Sequence, residues 1–276
     1  MLRAVHPRWR LLIVVAGATI GLYAFLAYVA LPFAWRHYEH QKALSGMTMI
    51  TRTSNGIPGD PINVGLVGSK EEVLCAMNAA GWSPADPITL RSSIKILGSV
   101  LLDRPYRDAP VSPLFYQGKR EDLAFEKPAG KSADRRHHVR FWKALERGQE
   151  GRAIWLGAVT FDRGVGLSRD DMRVTHHIAP DIDGERDLFT ADLKAARIVD
   201  TIYEVTGIGP TINGRNGEGD RYYTDGEVKL SVLVEGCNRR SGTVAELGNP
   251  PLVELKNLAW NVIEQILATS TSDAQR

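Results

Sequence analysis

The chain reads as an α+β protein, a two-layer domain with a mainly antiparallel sheet preceded by one N-terminal transmembrane helix. Residues 11–35 contain no charge, which sets them apart from everything that follows. Beyond them, apolar residues at helical spacing cluster near the start and the end, while alternating patterns fill the middle, the arrangement of an α+β domain. The composition supports a folded core: 276 residues, 43% hydrophobic and 24% charged, which are globular values rather than those of a disordered or collagen-like chain.

Charge excludes one class of function. The net charge is +2, too small for an electrostatic nucleic-acid binder. Arg3, Arg8 and Arg10 lie in a tail, residues 1–10, that has no acid; without those three, 31 basic residues face 32 acidic ones. Two cysteines, Cys75 and Cys237, exclude a disulfide-rich scaffold and a zinc ribbon. Whether they pair is not legible from spacing.

At about 1.5 Å per helical residue, residues 11–35 are longer than a ~30 Å hydrocarbon core. Tyr23, Tyr28 and Trp35 suit interface positions. A cleaved signal peptide has a shorter apolar stretch and a small-x-small site, which Tyr28 spoils here. The expectation is a single-pass protein in the bilayer. Arg36, Lys42 and Arg52 follow the span, so the charge bias is weak; the Arg-dense tail favours tail inside and domain outside the cytoplasm, periplasmic in a Gram-negative cell.

Residues 36–60 read as a linker ending in the turn formers Ser54-Asn55-Gly56-Ile57-Pro58-Gly59-Asp60-Pro61, and 61–270 as one domain. Ile62–Val67 is an apolar strand. A helix starts after Ser69, where Ser69 and Glu72 form a capping-box pattern, and Gly81 stops it. A second helix starts at Asp86-Pro87 and carries Leu90, Ile94, Leu97 and Leu101. Strands follow around Leu123 and Phe125, across His137–Trp142, across the doubly apolar Ala153–Phe161, and at Met172, Val174 and Ile178. Asp187–Val199 reads as a helix, Ile202–Val205 and Val228–Val234 as strands with an Asp225-Gly226 turn signal, and Leu252, Leu255, Ala259, Ile263 and Ile266 as a closing amphipathic helix.

Two histidine pairs carry the candidate chemistry. In a strand, His138, Arg140 and Trp142 share one face and His137, Val139 and Phe141 the other. The second pair opens Thr175-His176-His177-Ile178-Ala179-Pro180-Asp181-Ile182-Asp183-Gly184-Glu185. His138, Arg140, His177, Asp183 and Glu185 are the expected members of one shared polar site. His177, Asp181 and Asp183 are the donors a divalent metal would use, although the spacing matches no metalloprotease or EF-hand motif. The competing role for Asp181, Asp183, Glu185 and Asp187 is helix capping, because carboxylates favour a helix N-terminus. The glycine-rich Asn213–Asp220 segment lacks a Walker lysine and reads as a hairpin loop.

Arg136-His137-His138-Val139-Arg140-Phe141-Trp142, then Trp155-Leu156-Gly157-Ala158 with Asp162, then Thr175-His176-His177 and Asp183-Gly184-Glu185-Arg186-Asp187, resemble the LssY C-terminal domain family over roughly residues 60–200. That resemblance implies a domain often joined to membrane proteins, including phosphatidic-acid-phosphatase-type ones, and supplies no catalytic residues. The first phosphatase motif is not matched: Lys95 and Arg104-Pro105 are wrongly spaced and no Pro-Ser-Gly-His follows.

Two functions of different class remain open at this level. One is a cell-envelope binding or accessory module that recognises a lipid head group or an envelope protein. The other is a membrane-tethered hydrolase of phosphate esters, in which Arg140 clamps an anion and a histidine or a metal-bound water attacks.

Overall fold

The computed structural model describes residues 7–31, 33, 39–85, 114–129, 135–167 and 174–273. The chain divides into two units, Met1–Ser45 and Gly46–Arg276. In the first, helix α1 (Pro7–Phe25) continues through a π-helical turn, Leu26–Ala30. Arg8–Ala30 is long and apolar enough to cross a membrane, with hydropathy 2.2 and no buried part.

The second unit is the α+β domain. Its main sheet contains nine strands: β1 (Val64–Val67), β2 (Ser83–Pro84), β3 (Leu123–Pro128), β4 (Arg136–Leu145), β5 (Ile154–Leu167), β6 (Val174–Ile178), β7 (Val199–Thr206), β8 (Glu227–Leu233) and β9 (Ala245–Glu246). The order is β9-β7-β8-β1-β5-β4-β3-β2, with β6 also paired to β5. The β8–β1 and β7–β9 ladders are parallel and the others antiparallel.

The 14-residue β5 organises the sheet. Along one edge it pairs with β4; along the other it pairs first with β1 and then with β6. Asn63 fills the gap between those last two. Its side chain accepts from the Val159 N–H at 2.9 Å and donates to the Val159 carbonyl at 2.9 Å and the Ile182 carbonyl at 3.1 Å. Backbone groups that would otherwise be buried unpaired are thereby satisfied.

Two helices, α2 (Lys70–Ala79) and α3 (Ile182–Ala195), pack on one face. Val73, Met77, Phe189 and Leu193 meet Val139, Phe141, Trp155 and Val159 in the core, each such burial contributing about 1.5–3 kcal/mol. Gly157 lets this layer close, because a Cβ there would sit 2.6 Å from the Phe141 ring. The capping box at α2 is present as the sequence predicts: Ser69 Oγ accepts from Glu72 N–H, and Glu72 accepts from Ser69 N–H. Gly226 has φ +82° in the Asp225-Gly226 turn, where a Cβ would strike Gly209.

Two expectations are corrected. Residues 46–60 are not linker: Ile50–Arg52 pairs with Pro58–Pro61, and Thr51 and Asp60 are buried. The turn formers join two strands of a small second sheet, completed by Phe115–Tyr116 and Lys119–Arg120. The helix expected at Asp187 begins five residues earlier, because Asp181 accepts from Gly184 N–H as its N-cap. Gly184 sits inside the first turn, and its N–H is the group that Asp181 caps. The Asn213–Asp220 segment is part of a hairpin, as the sequence predicts, with its tip at residues 216–220 between Thr211–Arg215 and Arg221–Thr224. The helix expected from Asp86 and the start of the strand at Met172 lie outside the described residues. The chain closes with α4 (Pro251–Asp273).

Candidate functional site

The polar row of β4 is buried. Arg136, His138, Arg140 and Trp142 lie on the face of β4 opposite Val139 and Phe141, and the small sheet covers Arg140 and Trp142. Trp142 donates from Nε1 to the Lys119 carbonyl at 3.1 Å, and its ring lies 6.0 Å from that of Tyr116. Arg140 lies 3.5 Å from Asp60, which also accepts from Asn216 of the hairpin tip.

Asp162 of β5 is the centre of this network and is 0% exposed. Arg136 reaches it through Nε at 3.0 Å and reaches Glu126 of β3 at 2.6 Å. His138 Nδ1 lies 2.9 Å from Asp162 Oδ1, close enough for attraction though not aligned for a hydrogen bond. His138 Nε2 lies 2.9 Å from Thr160 Oγ1 and 2.7 Å from an Arg140 guanidinium nitrogen. A guanidinium only donates, so Nε2 is the unprotonated nitrogen and Nδ1 carries the proton. His176 Nδ1 sits 3.5 Å from Arg136 and 3.9 Å from Asp162.

Thr160, His138 and Asp162 therefore have the order of a hydroxyl–imidazole–carboxylate triad. They are enclosed, however: Thr160 is 1% and His138 3% exposed. A nucleophile needs substrate at its oxygen, and this one faces packed protein.

Burial dominates the titration of these groups. It lowers the His138 pKa, with Arg140 and Arg136 acting in the same direction and Asp162 opposing. His176 is lowered to about 4 for the same reasons, burial first. Burial alone would raise Asp162, but the attraction of the neighbouring His138, His176 and Arg136, with the hydrogen bond from Arg136 Nε, outweighs it and holds it well below the usual range. At neutral pH both histidines are uncharged. On acidification the unfolded chain takes up protons at about 6.5 while folded His176 resists until about 4, so its contribution to stability is lost as pH falls through that window. Glu227, raised to about 7 by burial, and Asp183, raised to about 6 by burial, act in the opposite sense over the same range. His176→Asn should therefore gain about 2 kcal/mol relative to wild type between pH 7 and pH 4.5. Urea midpoints at the two pH values measure it; a pH-independent difference would contradict the assignment.

The five residues expected in one site are distributed. His138 and Arg140 share the β4–β5 network. His177 turns to the hairpin, its Nδ1 2.9 Å from Asp220. Asp183 accepts from the Thr224 hydroxyl and the Asp225 N–H, both at 2.6 Å, and faces Arg186, which chelates Asp225 at 2.7 and 3.0 Å. Glu185 pairs with His137 at 2.7 Å. The donors expected for a metal do not converge: Asp181 caps α3, Asp183 pins the Thr224–Glu227 turn and His177 binds Asp220. Among the described residues no three His, Cys, Asp or Glu side chains are placed to hold an ion.

An open cleft lies elsewhere, with a volume of about 640 Å³. Thr190, Ala191 and Lys194 of α3 form one wall, and Tyr203, Glu204 and Lys229 form the floor. Its charges are paired, Lys229 with Asp187 at 2.6 Å and Lys194 with Glu246 at 2.5 Å.

Against this geometry, the model of the LssY C-terminus family matches residues 41–228. The chain belongs to the LssY C-terminus family. Comparison with curated proteins and with solved structures returned no match. The family match begins before the small sheet and stops at the first residues of β8, so the lid over the polar network is part of the LssY C-terminus unit, whereas α4 is not.

Within this LssY C-terminus domain, sequence reasoning missed Glu126, Asp162 and His176. Strand parity carried a signal for Arg136, which is two and four residues from His138 and Arg140. Parity misplaced the second histidine pair. The β6–β5 register shifts between His177 and Ile178, skipping Arg163. That bulge exchanges the two faces, so His176 joins Asp162 and His177 does not.

Proposed function

We propose that this chain is a membrane-tethered binding or accessory module of the cell envelope, anchored by Arg8–Ala30 with its domain outside the cytoplasm. The observation that carries the binding reading is the closure of the histidine–carboxylate network: groups able to catalyse are spent on each other, while a concave surface open to a ligand lies among the described residues between α3 and β7. A volume of about 640 Å³ is in the range of small-molecule sites, and suits a lipid head group. The extracytoplasmic reading is supported by the disulfide between Cys75 and Cys237, whose Cα atoms are 6.0 Å apart, since such bonds persist in oxidising compartments.

A hydrolase reading rests on one observation, the His177–Asp220 pair, whose imidazole is 31% exposed and whose Nδ1-to-carboxylate contact is that of an oriented general base. Turnover separates the two. Full-length protein in detergent, given p-nitrophenyl phosphate or acetate with Mg²⁺, Mn²⁺ or Zn²⁺, should show no rate above that of His177→Ala. Turnover that disappears in His177→Ala would replace the module by an enzyme. Carbonate extraction should leave the chain in the membrane fraction; release would refute the anchor.

A further inference from the structure

Helix α4 is apolar on two sides. Val253 and Trp260 are buried against the domain. On the other side Leu252, Leu255, Leu258, Val262 and Ile266 are all exposed, Leu258 by 65%. A helix of a soluble domain normally turns its apolar residues to the core, and a contiguous exposed patch of this kind marks an interaction surface.

Its pattern selects the occupant. Leu255, Leu258, Val262, Gln265 and Thr269 follow one another by three, four, three and four residues, the spacing of a helix–helix seam. The small Ala259 flanks the seam and lets a second helix approach. No charge lies on this stripe, so an identical stripe meets no like-charge repulsion. The one basic residue of α4, Lys256, is held inward by Glu227 at 2.6 Å and by the Asp225 carbonyl. A bilayer surface would therefore gain no electrostatic attraction from α4, which otherwise carries the acids Glu254, Glu264 and Asp273.

The membrane unit points the same way. Gly17 and Gly21 of α1 are four apart in an apolar helix, and a Cβ at either would meet nothing within 4 Å. This small-xxx-small spacing lets two membrane helices pack closely. Two separate segments of one chain thus each carry a surface complementary to itself.

We propose that the exposed face of α4 docks onto the same face of a second copy of this chain, as a two-fold homodimer. The membrane anchor, on which the proposal draws for its second argument, would hold both copies in one orientation within one plane.

Site-directed cross-linking in native membranes tests it. Cys75 and Cys237 are bonded to each other, so a cysteine introduced as Gln265→Cys supplies the reactive thiol. Oxidation with copper phenanthroline should convert most of the 30.4 kDa chain to a covalent dimer on non-reducing gels. Ala268→Cys, exposed on the same helix but away from the seam, should give roughly fivefold less. Adding Leu258→Asp and Val262→Asp to Gln265→Cys should abolish the cross-link while circular dichroism stays unchanged. Equal cross-linking at both positions, or none at Gln265→Cys, overturns the proposal. So does a bimane label on that thiol that shifts to shorter wavelength without a cross-link, since lipid would then cover the face. Carbonate extraction of the same sample keeps the two readings apart: a released chain that still cross-links refutes the anchor and leaves the α4 interface standing.

Discussion

Replacing Cys75 and Cys237 together by serine is expected to lower the melting temperature of the full-length protein by roughly 5–15 °C. The bond joins residues 162 apart, and constraining a loop of that length in the unfolded chain is worth up to about 5 kcal/mol, with typical measured values of 2–4 kcal/mol. At about 2–4 °C per kcal/mol for a domain of this size, the range follows. The native fold itself should survive, because other contacts hold the same junction. Glu72 accepts from Gly236 N–H at 2.9 Å and from Arg152 at 2.6 Å, and Arg152 also donates to the Leu233 carbonyl at 2.7 Å. Far-ultraviolet circular dichroism at 25 °C should therefore be unchanged while the thermal midpoint falls. Dithiothreitol should reproduce the fall in wild type and do nothing to the double variant. A wild-type midpoint indifferent to reductant would show that the bond contributes no stability.

Asp162→Asn is expected to cost roughly 3–5 kcal/mol, the penalty for removing one charge from a buried ionic network. The replacement keeps the volume, so the loss reports charge rather than a cavity. Arg136 would retain Glu126 as a counter-ion at 2.6 Å, but would lose its 3.0 Å contact to a charged Asp162, and His138 would lose the carboxylate beside its Nδ1. Asp60→Asn, at 3.5 Å from Arg140 and at the edge of the network, should cost much less. Urea denaturation of both variants at pH 7 measures the contrast. Equal effects would mean that Asp162 is not the centre of the network, and a loss below about 1 kcal/mol would mean that its charge is compensated elsewhere.

The pattern of local signals explains what was readable in the amino-acid sequence. The charge-free stretch, the Ser69–Glu72 capping box, the alternation in His137–Trp142 and the doubly apolar Ala153–Phe161 each depend on residues close in sequence. Each reappears in the structure, as the Arg8–Ala30 helix, α2, β4 and β5. Even the division of β4 into a polar row and an apolar row was correct, because strand parity has a fixed period of two.

Tertiary structure decided what the polar row does. In sequence, a polar row backed by an apolar row implies solvent on one side. Here the strands at Ile50–Arg52 and Pro58–Pro61 fold over that side, from a segment whose glycines and prolines suit a hairpin turn as well as a linker. The row becomes a buried network, and Asp162, 24 residues from His138, supplies its counter-charge. A single bulge at Arg163 then determines which histidine of the second pair reaches that carboxylate. Likewise Cys75 and Cys237 meet only because β1 and β8 are adjacent in the sheet. The sequence alone determined most elements of the main sheet, the membrane-length helix and the family, all of which follow from short-range pattern. Enclosure of the histidines, the disulfide, the cleft and the exposed stripe of α4 depend on which distant segments pack together, and local pattern carries no record of that choice.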